Sequence, residues 1–94
     1  MFAIAFDLTV ASARRYHPKG ASRAYLDIER LLAEYHFRRV QGSLYVTDNE
    51  DMMNLFIAIK ALGLMEWFPK AVRDIRGFRI ELWSNFTPAI KANL

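Results

Sequence analysis

Three patterns in the sequence predict one α+β domain built on a four-stranded antiparallel sheet. Residues 2–8 and 78–83 alternate along the chain with period two, as half-buried strands do. Residues 22–35 and 52–62 repeat apolar side chains at spacings of three and four, the stripe of an amphipathic helix. A short β-prone pair, 37–40 and 43–46, lies between them. The order strand, helix, strand, strand, helix, strand is the split βαβ or ferredoxin-like plan, with both helices on one face of the sheet.

Each element has its own local cause. Phe2, Ile4, Phe6 and Leu8 place bulky groups on one side of the first strand, and Ala3, Ala5 and Asp7 place small or acidic ones on the other. Residues 11–20 hold Pro18 and Gly20, which break regular structure, so they are expected to form a loop. Ala24, Tyr25, Ile28, Leu31, Leu32 and Tyr35 form the stripe of the first helix. Gly42 marks a turn or bulge before Ser43. Asp48 or Asn49 is placed to cap the second helix, whose stripe is Met52, Leu55, Phe56, Ile59 and Leu62 and whose stop is Gly63. Val72 and Ile75 fall out of phase with Phe78, Ile80 and Leu82, so a bulge is expected between Asp74 and Gly77. Phe86, Thr87 and Pro88 begin a short C-terminal turn of helix.

Ninety-four residues, 53% of them hydrophobic, suffice for a single domain with its own core spanning 1–94. The sheet face carrying Ala3 and Ala5 has no helix left to cover it, and Ser43 and Tyr45 are expected on the same face. A second copy of the chain is therefore expected there, giving a homodimer. The absence of cysteine excludes thiolate chemistry and disulfides, and fits a cytoplasmic location. The N-terminus lacks the basic start of a signal peptide, and no apolar run approaches the roughly 20 residues that cross a bilayer, so no membrane role is expected. A net charge of +3 is compatible with an anionic partner.

Candidate chemistry falls into four groups. Asp7, at the end of the first strand, is a base, a metal ligand, or a strand-end acid paired with Arg73 or Arg76; two copies meeting across a dimer axis would share a proton or bind a divalent ion such as magnesium. Ser43 offers a hydroxyl to a phosphate, with no histidine–acid pair at a spacing that suggests a hydrolase triad. Arg14, Arg15 and Lys19 form one cationic cluster, and Arg73, Arg76 and Arg79 another, whose forked guanidiniums suit phosphate oxygens. Asp74 compensates the second cluster, which favours the first for nucleic acid, although Arg76 remains a candidate contact. Tyr16, Tyr45 and Trp83 are aromatic groups able to stack on bases or seal an interface. His17 and His36 fit structural positions better than catalytic ones. No glycine-rich phosphate loop, paired-cysteine metal site or HExxH motif is present.

The blocks 2–8 (FAIAFDL), 17–20 (HPKG), 41–45 (QGSLY), 49–52 (NEDM), 66–68 (EWF) and 72–76 (VRDIR) resemble, in order and nearly end to end, the virulence-associated protein D family. The resemblance implies a ferredoxin-like homodimer that cleaves RNA as an endoribonuclease and acts as the toxin of a pair with a small antitoxin protein. It implies that Asp7 and Ser43 matter for cleavage; the charges and aromatic groups themselves make Arg14, Arg15, Lys19, Tyr45 and Arg76 the expected RNA contacts. Two positions depart from the family pattern: Gly77 stands where alanine is expected, which would loosen the expected bulge, and Ala71 stands where serine would offer a hydroxyl. The alternative is a non-catalytic dimeric module that binds nucleic acid or protein, since this fold hosts many functions.

Overall fold

The computed structural model describes residues 1–94. Its elements are β1 (Phe2–Asp7), α1 (Val10–Tyr16), α2 (Ala21–Glu34), β2 (Arg38–Gln41), β3 (Leu44–Thr47), α3 (Met52–Gly63), α4 (Phe68–Ala71), β4 (Asp74–Arg79) and α5 (Thr87–Lys91). The sheet runs in the order β2-β3-β1-β4 with every neighbouring pair antiparallel. This is the expected ferredoxin-like α+β architecture, with α1, α4 and α5 added to it.

β1 occupies the interior of the sheet and carries the core. Phe2, Ile4 and Phe6 pack in one cluster with Ala24, Ile28 and Leu32 of α2 and Leu55, Ala58 and Leu62 of α3. Each such large side chain contributes about 1.5–3 kcal/mol on burial. Ala3 is just as buried but lies outside that cluster, paired with Val46 on one side and Phe78 on the other. The two alternating sets therefore face opposite sides of the sheet.

Several local expectations need correction. Tyr45 belongs to the helix side: it pairs with Ile4, its ring stacks on Phe6 at 6.0 Å, and it is only 2% exposed. The register sends Leu44, rather than Tyr45, to the face with Ala5. Residues 10–16, expected in a loop, form α1, because Thr9 caps it by accepting the Ser12 N–H at 3.0 Å and the breakers Pro18 and Gly20 come only afterwards. The cap of α3 is Asp51, which accepts the Met53 N–H at 2.9 Å, while Asn49 holds the Asp51 N–H. α3 buries Leu55, Ala58 and Leu62 but leaves Met52 and Phe56 exposed, so its inner face is rotated from the one expected.

The last strand starts earlier than the alternation suggests. β4 pairs with β1 without interruption from Asp7↔Asp74 to Phe2↔Arg79, so the expected bulge at 74–77 is absent. β1 begins only at Phe2, and past that pairing the Ile80 N–H donates to the Met1 carbonyl at 2.8 Å. Residues 81–86 have no strand to pair with. The bulge sits instead between Arg39 and Gln41, where β2 meets β3. α2 closes with a left-handed His36 at φ 67°, whose N–H reaches the Ala33 carbonyl while Phe37 reaches Leu32; this satisfies the helix-end carbonyls in a Schellman arrangement. Gly77 lies beneath α3, where an added Cβ would sit 2.8 Å from the Ile59 Cδ1 and 3.4 Å from the Leu55 methyls.

Position 77 should therefore tolerate size poorly. Gly77→Ala displaces only the mobile end of Ile59 and should cost little, whereas Gly77→Leu, driven into Leu55, should cost about 1–3 kcal/mol by overpacking. Urea denaturation of the two variants beside wild type checks the difference.

Candidate functional site

The end of β1 brings Asp7 into the open. Its side chain is 55% exposed, and the Arg73 Nε stands 3.6 Å from its Oδ2. The Arg73 N–H also donates to the Asp7 carbonyl at 2.9 Å, which fixes the chain after α4 against the strand end. Asp7 is thus paired with Arg73, as one of the sequence alternatives has it. Directly across the β1–β4 ladder from Asp7 stands Asp74. Asp74 is held by the Arg76 Nε at 2.9 Å, and that hydrogen bond keeps its carboxyl below the ordinary range and the guanidinium above its own. In the sequence Asp74 is visible only as a neutralising charge; its place opposite Asp7 depends on the register, which period-two patterning alone does not fix.

Ser43 flanks the same end of the sheet from the other side. Its carbonyl accepts the Phe6 N–H at 3.2 Å, one residue before Asp7. Its side chain lines a recess with Val10, Tyr25, Glu29 and Arg39, and the Tyr25 hydroxyl there donates to the Leu8 carbonyl at 2.8 Å. Asp7 is outside that recess, and no hydrogen bond joins it to Ser43. The two candidate catalytic residues are neighbours along the strand edge rather than partners. Tyr45, with its ring against Phe6, has no free face for a base; burial, then the charge of Glu29, raises its phenol above the usual range and keeps it neutral.

The cations divide into two sets. Arg73, Arg76 and Arg79 each lie within 4 Å of a carboxylate: Asp7, Asp74 and Glu81. Arg14, Arg15 and Lys19 have no such partner, and Arg15 lies over the Tyr16 ring at 5.1 Å. Arg15 and Lys19 line a cleft at the far end of α1, whereas Arg14 does not. At its floor is His17, expected from the sequence in a loop and in a structural rather than a catalytic position. It is 6% exposed, accepts the Lys19 N–H on Nδ1 at 2.9 Å and meets Asp27 Oδ2 through Nε2 at 2.8 Å. Trp67 packs edge-on against it at 5.0 Å. The spacing between His17 and Asp27 carries no local signal, so only the fold reveals the pair.

No protein-family profile matches the chain. Individual relatives do. An "Endoribonuclease VapD homolog" of Neisseria gonorrhoeae is 56% identical over 92 residues, covering 98% of this chain and all of the relative. The "Endoribonuclease VapD" of Haemophilus influenzae is 55% identical over 97% of this chain and 99% of its own length. The "Endoribonuclease VapD 1" of Riemerella anatipestifer is 46% identical over 89% of this chain and 94% of its own.

The pair at the floor of the cleft predicts a pH dependence. The hydrogen bond from His17, then the charge and hydrogen bond of Arg23, lower the Asp27 carboxyl below its usual value against the opposing effect of burial. A carboxyl lowered in the folded state stabilises it fully above the unfolded value of about pH 4 and loses that contribution as pH falls through the folded value. Thermal unfolding should therefore show the melting temperature of wild type approaching that of Asp27→Asn below about pH 4. At neutral pH Asp27→Ala should cost about 1–3 kcal/mol, because it strands a buried ring N–H.

Proposed function

The chain belongs to the endoribonuclease VapD family, and we propose that it cleaves RNA phosphodiester bonds at the Asp7 end of the sheet, as a homodimer and as the toxin of a toxin–antitoxin pair. The observation that carries the cleavage site is the exposed Asp7 facing Asp74 across the β1–β4 ladder, with Arg73 at 3.6 Å and Ser43 in the turn before β3, bonded through its carbonyl to the Phe6 N–H. RNA cleavage needs a group that takes a proton from the nucleophile and positive charge to offset the phosphorane. Asp7 is the proton acceptor for the 2′-hydroxyl or a water. Arg73 is near enough to stabilise charge on the phosphate, and the Ser43 hydroxyl orients it.

Two carboxylates at opposed positions also suit magnesium, which takes one or two carboxylates and keeps its water. Asp7 and Asp74 are the residues that would hold such an ion, and it would supply charge stabilisation at the phosphate. Arg73 and Arg76 occupy the same oxygens and compete with it.

The homodimer is supported by the sheet face opposite α2 and α3. Ala3 and Val46 are already buried within the chain there, but Ala5 and Leu44 stay partly exposed and Phe78 exposed, with the exposed Trp83, Phe86 and Ile90 of the C-terminal segment at the Leu44 edge. The toxin role and the small antitoxin follow from the resemblance of the sequence blocks. No helix is long and apolar enough to cross a membrane.

The test is cleavage of labelled RNA by the purified protein, with and without chelator. Asp7→Asn keeps shape and removes charge, so cleavage should fall by about 100-fold or more with little change in melting temperature. Retained cleavage in the folded variant would make Asp7 structural; loss of wild-type cleavage with chelator would place a metal in the reaction. For assembly, wild type should sediment as a dimer, and Ala5→Arg, which sets two like charges in one isologous contact, should sediment as a monomer.

A further inference from the structure

A cleft of about 530 Å³ opens where α1, the α1–α2 connection, α2 and α4 converge, and neither Asp7 nor Ser43 lines it. Four cations from four segments do: Arg15, Lys19, Arg23 and Lys70. The acids in it are Asp27 and Glu66, so the formal balance is four minus two, or +2. Asp27 is already committed to His17 and to Arg23, whose Nε lies at 3.2 Å. Arg15, Lys19 and Lys70 have no carboxylate within 4 Å. Elsewhere the contrast is plain, since the arginines of β4 and its preceding turn are all paired with acids.

The cleft is held in shape from below. Because the His17 Nδ1 accepts the Lys19 N–H, the ring proton of the neutral form lies on Nε2, where it donates to Asp27. One buried ring thus ties the connection that carries Lys19 to the helix that carries Arg23, and Trp67 seals it on the α4 side, three residues before Lys70.

We propose that this cleft binds a backbone phosphate of RNA away from the scissile linkage, with Lys19 and Lys70 as the contacts and His17 as the positioning residue. The proposal rests on the RNA-cleaving function above and adds a second grip on the same strand. α1 runs from the Asp7 end to the cleft with seven residues. Its ends are on the order of 10 Å apart, more than one linkage along an RNA strand. A substrate shorter than that reaches Asp7 without reaching the cleft.

Binding is measured with a 5′-hydroxyl, 2′-O-methyl oligonucleotide, which has no terminal phosphate and no 2′-hydroxyl to attack. Lys19 and Lys70 are exposed, so K19Q/K70Q should fold. Its salt slope should flatten by about 0.7 for each single-strand phosphate that the variant no longer neutralises. K19R/K70R should restore the slope. With cleavable RNA, KM should rise about tenfold at nearly constant kcat for a long substrate, as expected when uniform binding is removed, and stay unchanged for a dinucleotide. His17→Ala should weaken binding in the same direction, and His17→Asn, which keeps an acceptor for the Lys19 N–H, should recover it. An unchanged slope in folded K19Q/K70Q overturns the cleft whether or not the protein cuts RNA. Unchanged binding in folded His17→Ala overturns the positioning role. If the wild type binds the oligonucleotide with the expected slope and cuts no RNA, the cleavage assignment fails and the cleft stands.

Discussion

The pairing of β1 on both edges is the constraint from which the rest of the molecule follows. Its backbone groups are satisfied by β3 on one side and β4 on the other, so its alternation becomes a division between two environments. Phe2, Ile4 and Phe6 supply the floor on which α2 and α3 lie, while Ala3 and Ala5 keep the opposite face low. The strand ends on a residue that belongs to the second set. Asp7 therefore leaves the sheet away from the helices and stays wet, and the same pairing that orders the core delivers Asp74 opposite it. A slip of one residue would exchange the faces, burying the acid beneath α2 or α3 and exposing three large apolar groups.

What the sequence disclosed, and what it hid, follows from the range of the interactions involved. The plan of strands and helices was legible because period two and period 3.6 are local and strongly written in residues 2–8 and 22–35. The face of β3 was not, since either Leu44 or Tyr45 satisfies a four-residue alternation and the choice is made by the ring of Phe6 across the ladder. β4 was displaced for a related reason. Alternation continues past Arg79, but a strand lasts only as long as its partner, and β1 offers no residue before Phe2. α1 was obscured by Pro18 and Gly20, whose breaking effect does not reach back over a segment that Thr9 caps. At the site, Asp7, Ser43 and the loop cations could be named from their types and positions, whereas the Asp7–Asp74 juxtaposition and the His17–Asp27 pair depend on contacts between distant segments.

Charge is distributed by function rather than by sign. A net +3 is a modest attraction for RNA if it is spread evenly. The chain does not spread it evenly. Along β4 each arginine is answered by an acid, so that edge is close to neutral and its exposed ion pairs contribute little to stability. Around the end of α1 Arg15, Lys19 and Lys70 are left unanswered: Glu66 pairs with none of them, and Asp27 is turned toward a buried histidine and a single arginine. Three unpaired cations, Arg15, Lys19 and Lys70, are thereby gathered in one cleft beside α1.

That gathering of cations bears on why the proposed cleavage end of the sheet can carry two acids. Asp7 and Asp74 repel a phosphate, and Arg73 and Arg76 at best cancel them. A strand of RNA has little reason to settle there on electrostatic grounds alone. Its affinity has to come from elsewhere on the surface, since contacts with the phosphate backbone dominate such binding. On the proposed scheme, a positive cleft one short helix away would meet that need by holding the strand through neighbouring phosphates, away from the carboxylates. Such a separation of grip from chemistry would let each group suit its task, with unpaired cations where the strand is held and a carboxylate where a proton is taken.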